Sequence, residues 1–198
     1  MFKSSRRWML SALTLWALVA CSPDKPKFSS IDITGADYAQ DFSLTDHNGQ
    51  RRRLSDFKGK VVVVFFGYTQ CPDVCPTSMT ELAEVKGMLG ADADKLQGVF
   101  VTVDPARDTT ELLKAYMANF DPTFVAFVPT PDELADVAKR FKIYYKKQEG
   151  KTPTSYTMDH SAGSYVYDTQ GRVRLYSRYG SGAKVLAQDI QTLLATTP

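Results

Sequence analysis

Histidine is almost absent from this chain, which has His47 and His160 and no others. Cysteine is nearly as scarce, at Cys21, Cys71 and Cys75. A site built from nitrogen and sulfur donors therefore has few residues to draw on. Neither sign of charge dominates. Lys3, Arg6 and Arg7 lie in the leader, and without them 21 basic residues oppose 22 acidic ones. A near-neutral body excludes the broad basic footprint of a nucleic-acid binder. The one dense basic run, Arg51 to Arg53, reads as the solvated face of a short strand. There are no internal repeats or low-complexity tracts, which excludes a solenoid or repeat array. The apolar run Trp8 to Ala20 has 13 residues, short of the about 20 needed to cross a bilayer. What is present is ordinary for one domain with a proper core: 43% hydrophobic and 23% charged residues in a chain of 198.

The basic start followed by that apolar run reads as a secretory signal segment, residues 1–20. It ends in Leu18-Val19-Ala20-Cys21, which resembles the lipobox of bacterial lipoproteins. The resemblance implies a lipid on Cys21 and an extracytoplasmic, membrane-anchored protein on the periplasmic side. Disulfides persist in that compartment. Residues 21–36 are polar, with two prolines and no period, and read as a flexible tether. Fifteen residues, Ser22 to Ala36, span about 20 Å as a coil. Residues 37–198 are then the folded domain.

That domain alternates strand and helix signals. Phe42 to Thr45 and Arg51 to Leu54 flank Asn48-Gly49 and predict a hairpin. His47 lies in its turn and receives no role. Val61 to Phe66 is a β-branched and aromatic run suited to a strand buried on both faces. Ser78 to Leu89 has helical periodicity, with Met79 on its apolar face. Val99 to Val103 and Phe124 to Val128 are further strands. Each leads to a helix, Glu111 to Asn119 and Pro131 to about Phe141. The second of these opens on a capping box, Thr130 to Glu133, with proline at its first position. Tyr144 to Thr157 is polar and reads as irregular. Ser164 to Asp168 and Arg172 to Tyr176 predict a hairpin, and Ala183 to Thr196 a last helix. The order predicts an α/β fold of thioredoxin-like type, with an N-terminal β-hairpin, an inserted βα unit and a terminal ββα.

The chemistry concentrates in Gly67 to Thr77, GYTQCPDVCPT. A buried strand delivers two thiols to the start of a helix, where amides and dipole favour the thiolate. Three uses are open: redox chemistry, metal binding or a structural disulfide. The spacing Cys71-x-x-x-Cys75 is one residue wider than the CxxC of thiol oxidoreductases, which lets two sulfurs converge on one ion. Either Pro72 or Pro76 can open the helix. Pro76 at N1 with Cys75 as N-cap is the favoured reading, because proline inside a helix costs about 3 kcal/mol. A metal needs a third ligand. His160 lies just before the terminal hairpin, the segment that packs beside the active cysteines in a thioredoxin-like fold. No proline stands directly before it, where thioredoxins carry a cis-proline. Two sulfurs and an imidazole suit Cu(I) or Zn(II), with soft sulfur favouring copper. Asp159 is placed to orient His160 by accepting its second N–H. Asp73 either tunes the charge between the cysteines, meets a partner, or is a solvated turn residue. Met158 is a soft thioether close in sequence. Asp104, Arg107 and Asp108 read as an internal salt-bridged loop.

Three blocks in order carry a specific resemblance: Gly67 to Thr77, Val103-Asp104-Pro105-x-Arg107-Asp108-Thr109, and Tyr156-x-x-Asp159-His160-Ser161. The chain resembles the Sco (SenC) family over about residues 37–198. The resemblance implies one copper per monomer, as Cu(I) or Cu(II), on Cys71, Cys75 and His160. It implies a role in assembling the dinuclear copper site of cytochrome c oxidase subunit II. A periplasmic copper chaperone and a thioredoxin-like reductant are the further partners expected. The alternative is a thiol-disulfide oxidoreductase that uses Cys71 and Cys75 as a redox pair on subunit II or on a copper chaperone. A peroxiredoxin-type peroxidase shares the general fold but places its cysteine differently.

Overall fold

The computed structural model describes residues 26–152 and 155–197. The expected signal segment and the lipid site Cys21 lie outside the described residues. Among those residues, no helix is long and apolar enough to cross a membrane.

Among the described residues, ten strands and four α-helices follow in chain order. They are β1 (Ile31–Asp32), β2 (Ser43–Thr45), β3 (Arg51–Arg53), β4 (Val61–Gly67) and α1 (Val74–Met88). Next come β5 (Leu96–Thr102), α2 (Thr110–Ala118), β6 (Val125–Phe127) and α3 (Pro131–Phe141). The chain closes with β7 (Tyr145–Gln148), β8 (Thr157–His160), β9 (Ser164–Tyr167), β10 (Val173–Ser177) and α4 (Ala183–Thr196).

The central sheet runs β1-β10-β9-β4-β5-β6. Strands β4, β5 and β6 are parallel, and β9, β10 and β1 complete the sheet antiparallel. Every residue of β4 and β5 is buried, as expected of central strands covered on both faces. Helices α1 and α4 pack against one another. Phe42, Phe66, Phe127 and Phe141 form a ring cluster within the core, with Phe42 edge-to-face on Phe127, Phe66 edge-to-face on Phe141, and Phe42 tilted against Phe141. The capping box at Thr130 forms, with Glu133 N–H donating to its hydroxyl at 3.3 Å and the Glu133 carboxylate accepting from Thr130 N–H at 2.9 Å. The architecture is the expected thioredoxin-like one, with its N-terminal hairpin, inserted βα unit and ββα end.

Three local expectations are corrected. The stretch expected as a tether is partly folded. Ile31 and Asp32 pair with Tyr176 and Leu175, and the Ser29 and Ser30 amides donate to the two oxygens of buried Asp189, each at 2.8 Å. The open edge of β10 needs a partner for its backbone groups, and the polar segment supplies one. Tyr144 to Thr157, expected as irregular, contains β7, which pairs antiparallel with β8 in the register Tyr145 to His160 and Gln148 to Thr157. His47 is not a free turn residue. Its Nδ1 accepts from the Ala126 amide at 3.0 Å and its own amide donates to Ala126 O at 2.8 Å, fastening the β2–β3 hairpin to β6. Burial keeps the ring neutral, lowering its pKa against the opposing charge of Asp46.

Candidate metal centre

Strand β4 ends at Gly67, and the cysteine loop leaves its carboxyl end. A Cβ at position 67 would lie 2.7 Å from the Phe65 ring, 2.9 Å from Cys75 Sγ and 3.0 Å from the Phe100 ring. Only glycine lets the backbone approach the thiol that closely. The loop is pinned from below by Asp108, a fully buried carboxylate. It accepts from the Thr69 hydroxyl at 2.6 Å, the Thr69 amide at 3.1 Å and the Thr102 hydroxyl at 2.5 Å. Asp108 therefore takes no part in the expected salt-bridged loop; Asp104 and Arg107 alone form the ion pair. Burial raises the Asp108 pKa against these hydrogen bonds.

The helix start differs from the favoured reading. Asp73 is the N-cap, so Val74, Cys75 and Pro76 are the first three helical residues. The first intrahelical bond runs from Thr77 N–H to Asp73 O. Pro76 thus sits among positions whose N–H has no intrahelical partner, and its missing proton costs the helix nothing. Cys75 is inside the first turn, and its amide donates to Cys71 Sγ at 3.4 Å.

His160 arrives from the other side, at the end of β8. The ligand atoms of Cys71, Cys75 and His160 all lie within 4.8 Å of one another, and His160 Nε2 stands 3.3 Å from Cys75 Sγ. The neighbouring ring nitrogen, Nδ1, is 3.0 Å from the Ser161 carbonyl. A carbonyl only accepts, so the proton belongs on Nδ1 and the Nε2 lone pair faces the sulfurs. The Phe65 and Tyr68 rings meet the imidazole edge-on, at 6.0 and 5.8 Å between centroids.

Two expected helpers take other places. Asp159 is exposed and accepts from Gln148 Nε2 at 2.6 Å. It cannot orient His160 because adjacent strand residues point to opposite faces. The Ser161 carbonyl does that work, and no side-chain signal in the sequence reveals a backbone acceptor. Asp73 is exposed, with the Thr77 hydroxyl 3.4 Å away, and reaches neither sulfur. Met79 is in the core, as expected, and Met158 shares the inward face of β8 with His160.

Burial decides the electrostatics. Cys75 is fully buried, and its thiol pKa is driven far above the usual cysteine range, mainly by desolvation. The helix start does not make Cys75 a free thiolate, contrary to the expectation of two activated thiols. Desolvation likewise lowers the His160 pKa and leaves the imidazole neutral. Both cysteines are free, Cys71 being the more accessible. The donors are a protonated thiol, a second cysteine held by an amide, and a neutral imidazole.

The family model described as SCO1/SenC matches residues 32–195. The chain belongs to the SCO1/SenC family. Among SCO1/SenC relatives, an SCO2-like protein of Rickettsia conorii is 33% identical over 173 residues, covering 86% of this chain and 84% of that protein. The structure of Bradyrhizobium japonicum ScoI with copper bound superposes with a TM-score of 0.69 at 41% identity, over 76% of this chain and 96% of that one. Yeast Sco1 with copper bound gives a TM-score of 0.72 at 28% identity, over 80% and 88% of the two chains. The donor set here, two sulfurs and one imidazole nitrogen, fits the soft ion that those SCO1/SenC structures hold.

Proposed function

We propose that this SCO1/SenC chain binds one copper ion through Cys71, Cys75 and His160. It delivers that ion to the dinuclear site of cytochrome c oxidase subunit II. The copper is cargo, taken from a periplasmic copper chaperone and passed on. A lipid on Cys21 holds the domain at the extracytoplasmic face of the membrane. The observation that carries the reading is the convergence of the three donor atoms within 4.8 Å, with the unprotonated His160 nitrogen turned toward Cys75. Loading displaces the Cys75 proton, since thiolate is the ligand form. Anaerobic Cu(I) titration of the reduced protein tests this. One equivalent binds to the wild type, and binding is lost or strongly weakened in Cys71→Ala, Cys75→Ala and His160→Ala. Unchanged affinity and spectrum in His160→Ala would remove His160 from the ligand set.

A second reading rests on the same loop. The Cys75 amide at Cys71 Sγ and the greater accessibility of Cys71 suit it to attack a partner disulfide. Cys75 then attacks Cys71 Sγ in the mixed disulfide, forming the Cys71–Cys75 bond and expelling the partner's second thiol. The chain's two thiols lose two electrons and two protons, and the partner's disulfide becomes two thiols. A thioredoxin-like reductant would restore the pair. Reduction of oxidised subunit II by metal-free His160→Ala would favour this role, because it needs only the cysteines.

A further inference from the structure

Strands β7 and β8 share no backbone ladder with the central sheet. His160 is therefore carried on a separate two-stranded hairpin, while both cysteines follow β4. Beyond the packing of Phe65 and Tyr68 on the imidazole, the loop 103–109 ties the two together by polar contacts. The Arg107 Nε pairs with the Asp104 carboxylate. Its Nη1 donates to Gln70 Oε1 at 2.9 Å and to the Tyr156 carbonyl at 2.9 Å. The guanidinium carbon lies 3.5 Å from the centroid of the Tyr156 ring, and the Tyr156 hydroxyl donates to Asp104 Oδ1 at 2.7 Å, closing the network. Gln70 is the residue before Cys71, and Tyr156 is the residue before β8. One side chain thus touches the entry to each half of the donor set. Its own side chain is 13% exposed and that of Asp104 4%, so solvent screens the pair little.

We infer that Arg107 is a positioning residue for His160, clamping the histidine hairpin to the cysteine loop so that the imidazole meets the sulfurs. The inference rests on the proposed ligand role of His160. The work needs the guanidinium itself: a planar group that reaches three acceptors through Nε and Nη1 and stacks on a ring, where lysine offers a point charge. Asp104 and Tyr156 brace the fork, and the block Asp104-Pro105-x-Arg107 becomes part of the copper site without touching the metal.

The test compares wild type, Arg107→Met, Arg107→Lys and Gln70→Ala, with and without His160→Ala. In the metal-free proteins, Arg107→Met shifts the His160 imidazole 15N resonances and speeds amide exchange at Thr157 to His160. Far-UV circular dichroism stays that of the wild type. Copper affinity falls by about tenfold or more, the size expected when a ligand loses its support. Arg107→Lys does not restore it. In the His160→Ala background Arg107→Met has no further effect, because both changes remove one interaction. Gln70→Ala, at an exposed residue that leaves folding intact, shifts the site in the same direction by less, and decides the matter should Arg107→Met fail to fold. Wild-type imidazole resonances and affinity in Arg107→Met, or losses that add to those of His160→Ala, overturn the inference. Absence of copper binding by the wild type would instead remove the ligand reading, while the metal-free resonances still decide whether Arg107 holds the hairpin.

Discussion

His160 Nε2 stands 3.3 Å from Cys75 Sγ, although the two residues are 85 positions apart in the chain. Both are withdrawn from solvent, and burial favours the uncharged form of each. The metal-free site is thus a neutral thiol facing a neutral imidazole. Copper entry must release at least the thiol proton.

This sets the pH dependence of loading. The Cys75 thiol is protonated across the neutral range because its pKa is raised, so each bound ion displaces that proton. The His160 pKa is lowered by burial, so the neutral ring adds no competing proton in the neutral range. Apparent Cu(I) affinity should rise about tenfold per pH unit for one proton released. Competition titrations at several pH values between 6 and 8 measure the slope. A flat profile would mean that Cys75 is already a thiolate.

Gly67 is expected to be intolerant of any side chain. Alanine there would force its Cβ against Cys75 Sγ, the Phe65 ring and the Phe100 ring, all within 3.0 Å. Overpacking of this kind costs about 1–3 kcal/mol. Gly67→Ala should lower the urea midpoint and weaken copper binding together, because the displaced atom is a donor.

Asp159→Asn should leave copper affinity nearly unchanged. Its carboxylate meets Gln148, and the Ser161 carbonyl holds the imidazole. An orienting carboxylate would instead cost about 10–100-fold. Copper titration of the variant separates the two accounts.

Asp189→Ala should release the amides of Ser29 and Ser30 and free β1 from the sheet edge. Two hydrogen bonds from backbone amides to a carboxylate are lost, a cost of about 2–4 kcal/mol. Hydrogen exchange at residues 29–33 should quicken and limited proteolysis should cut there first. Copper binding should persist, since β1 and the metal centre are on separate parts of the sheet.

Several elements were legible from local pattern. The run of β-branched and aromatic residues Val61 to Phe66 announced a central strand, and Thr130-Pro131-Asp132-Glu133 announced a helix start, because each signal is complete within a few residues. Asn48-Gly49 marked its turn for the same reason, and Gly49 takes φ +76° there. Strand β7 was illegible. Tyr145-Lys146-Lys147-Gln148 is polar and faces solvent on both lysines, so its strand character comes from pairing with β8 and not from its own composition. The docking of residues 29–32 was hidden likewise, since Asp189 lies at the far end of the chain.

The sequence by itself determined which donors were available, the Cys71-x-x-x-Cys75 spacing, the three family blocks and the order of the strands and helices other than β1, β7 and β8. These rest on residue type and short-range periodicity, and both are written locally. The tertiary structure alone decided how the donors stand. It carried His160 across to the cysteines, placed the tautomer-setting acceptor on the Ser161 backbone, and turned Asp159 away. It buried Cys75 deeply enough for desolvation to overcome the helix start. Desolvation and the convergence of distant segments depend on what surrounds a residue in space, and neighbours in sequence do not supply it.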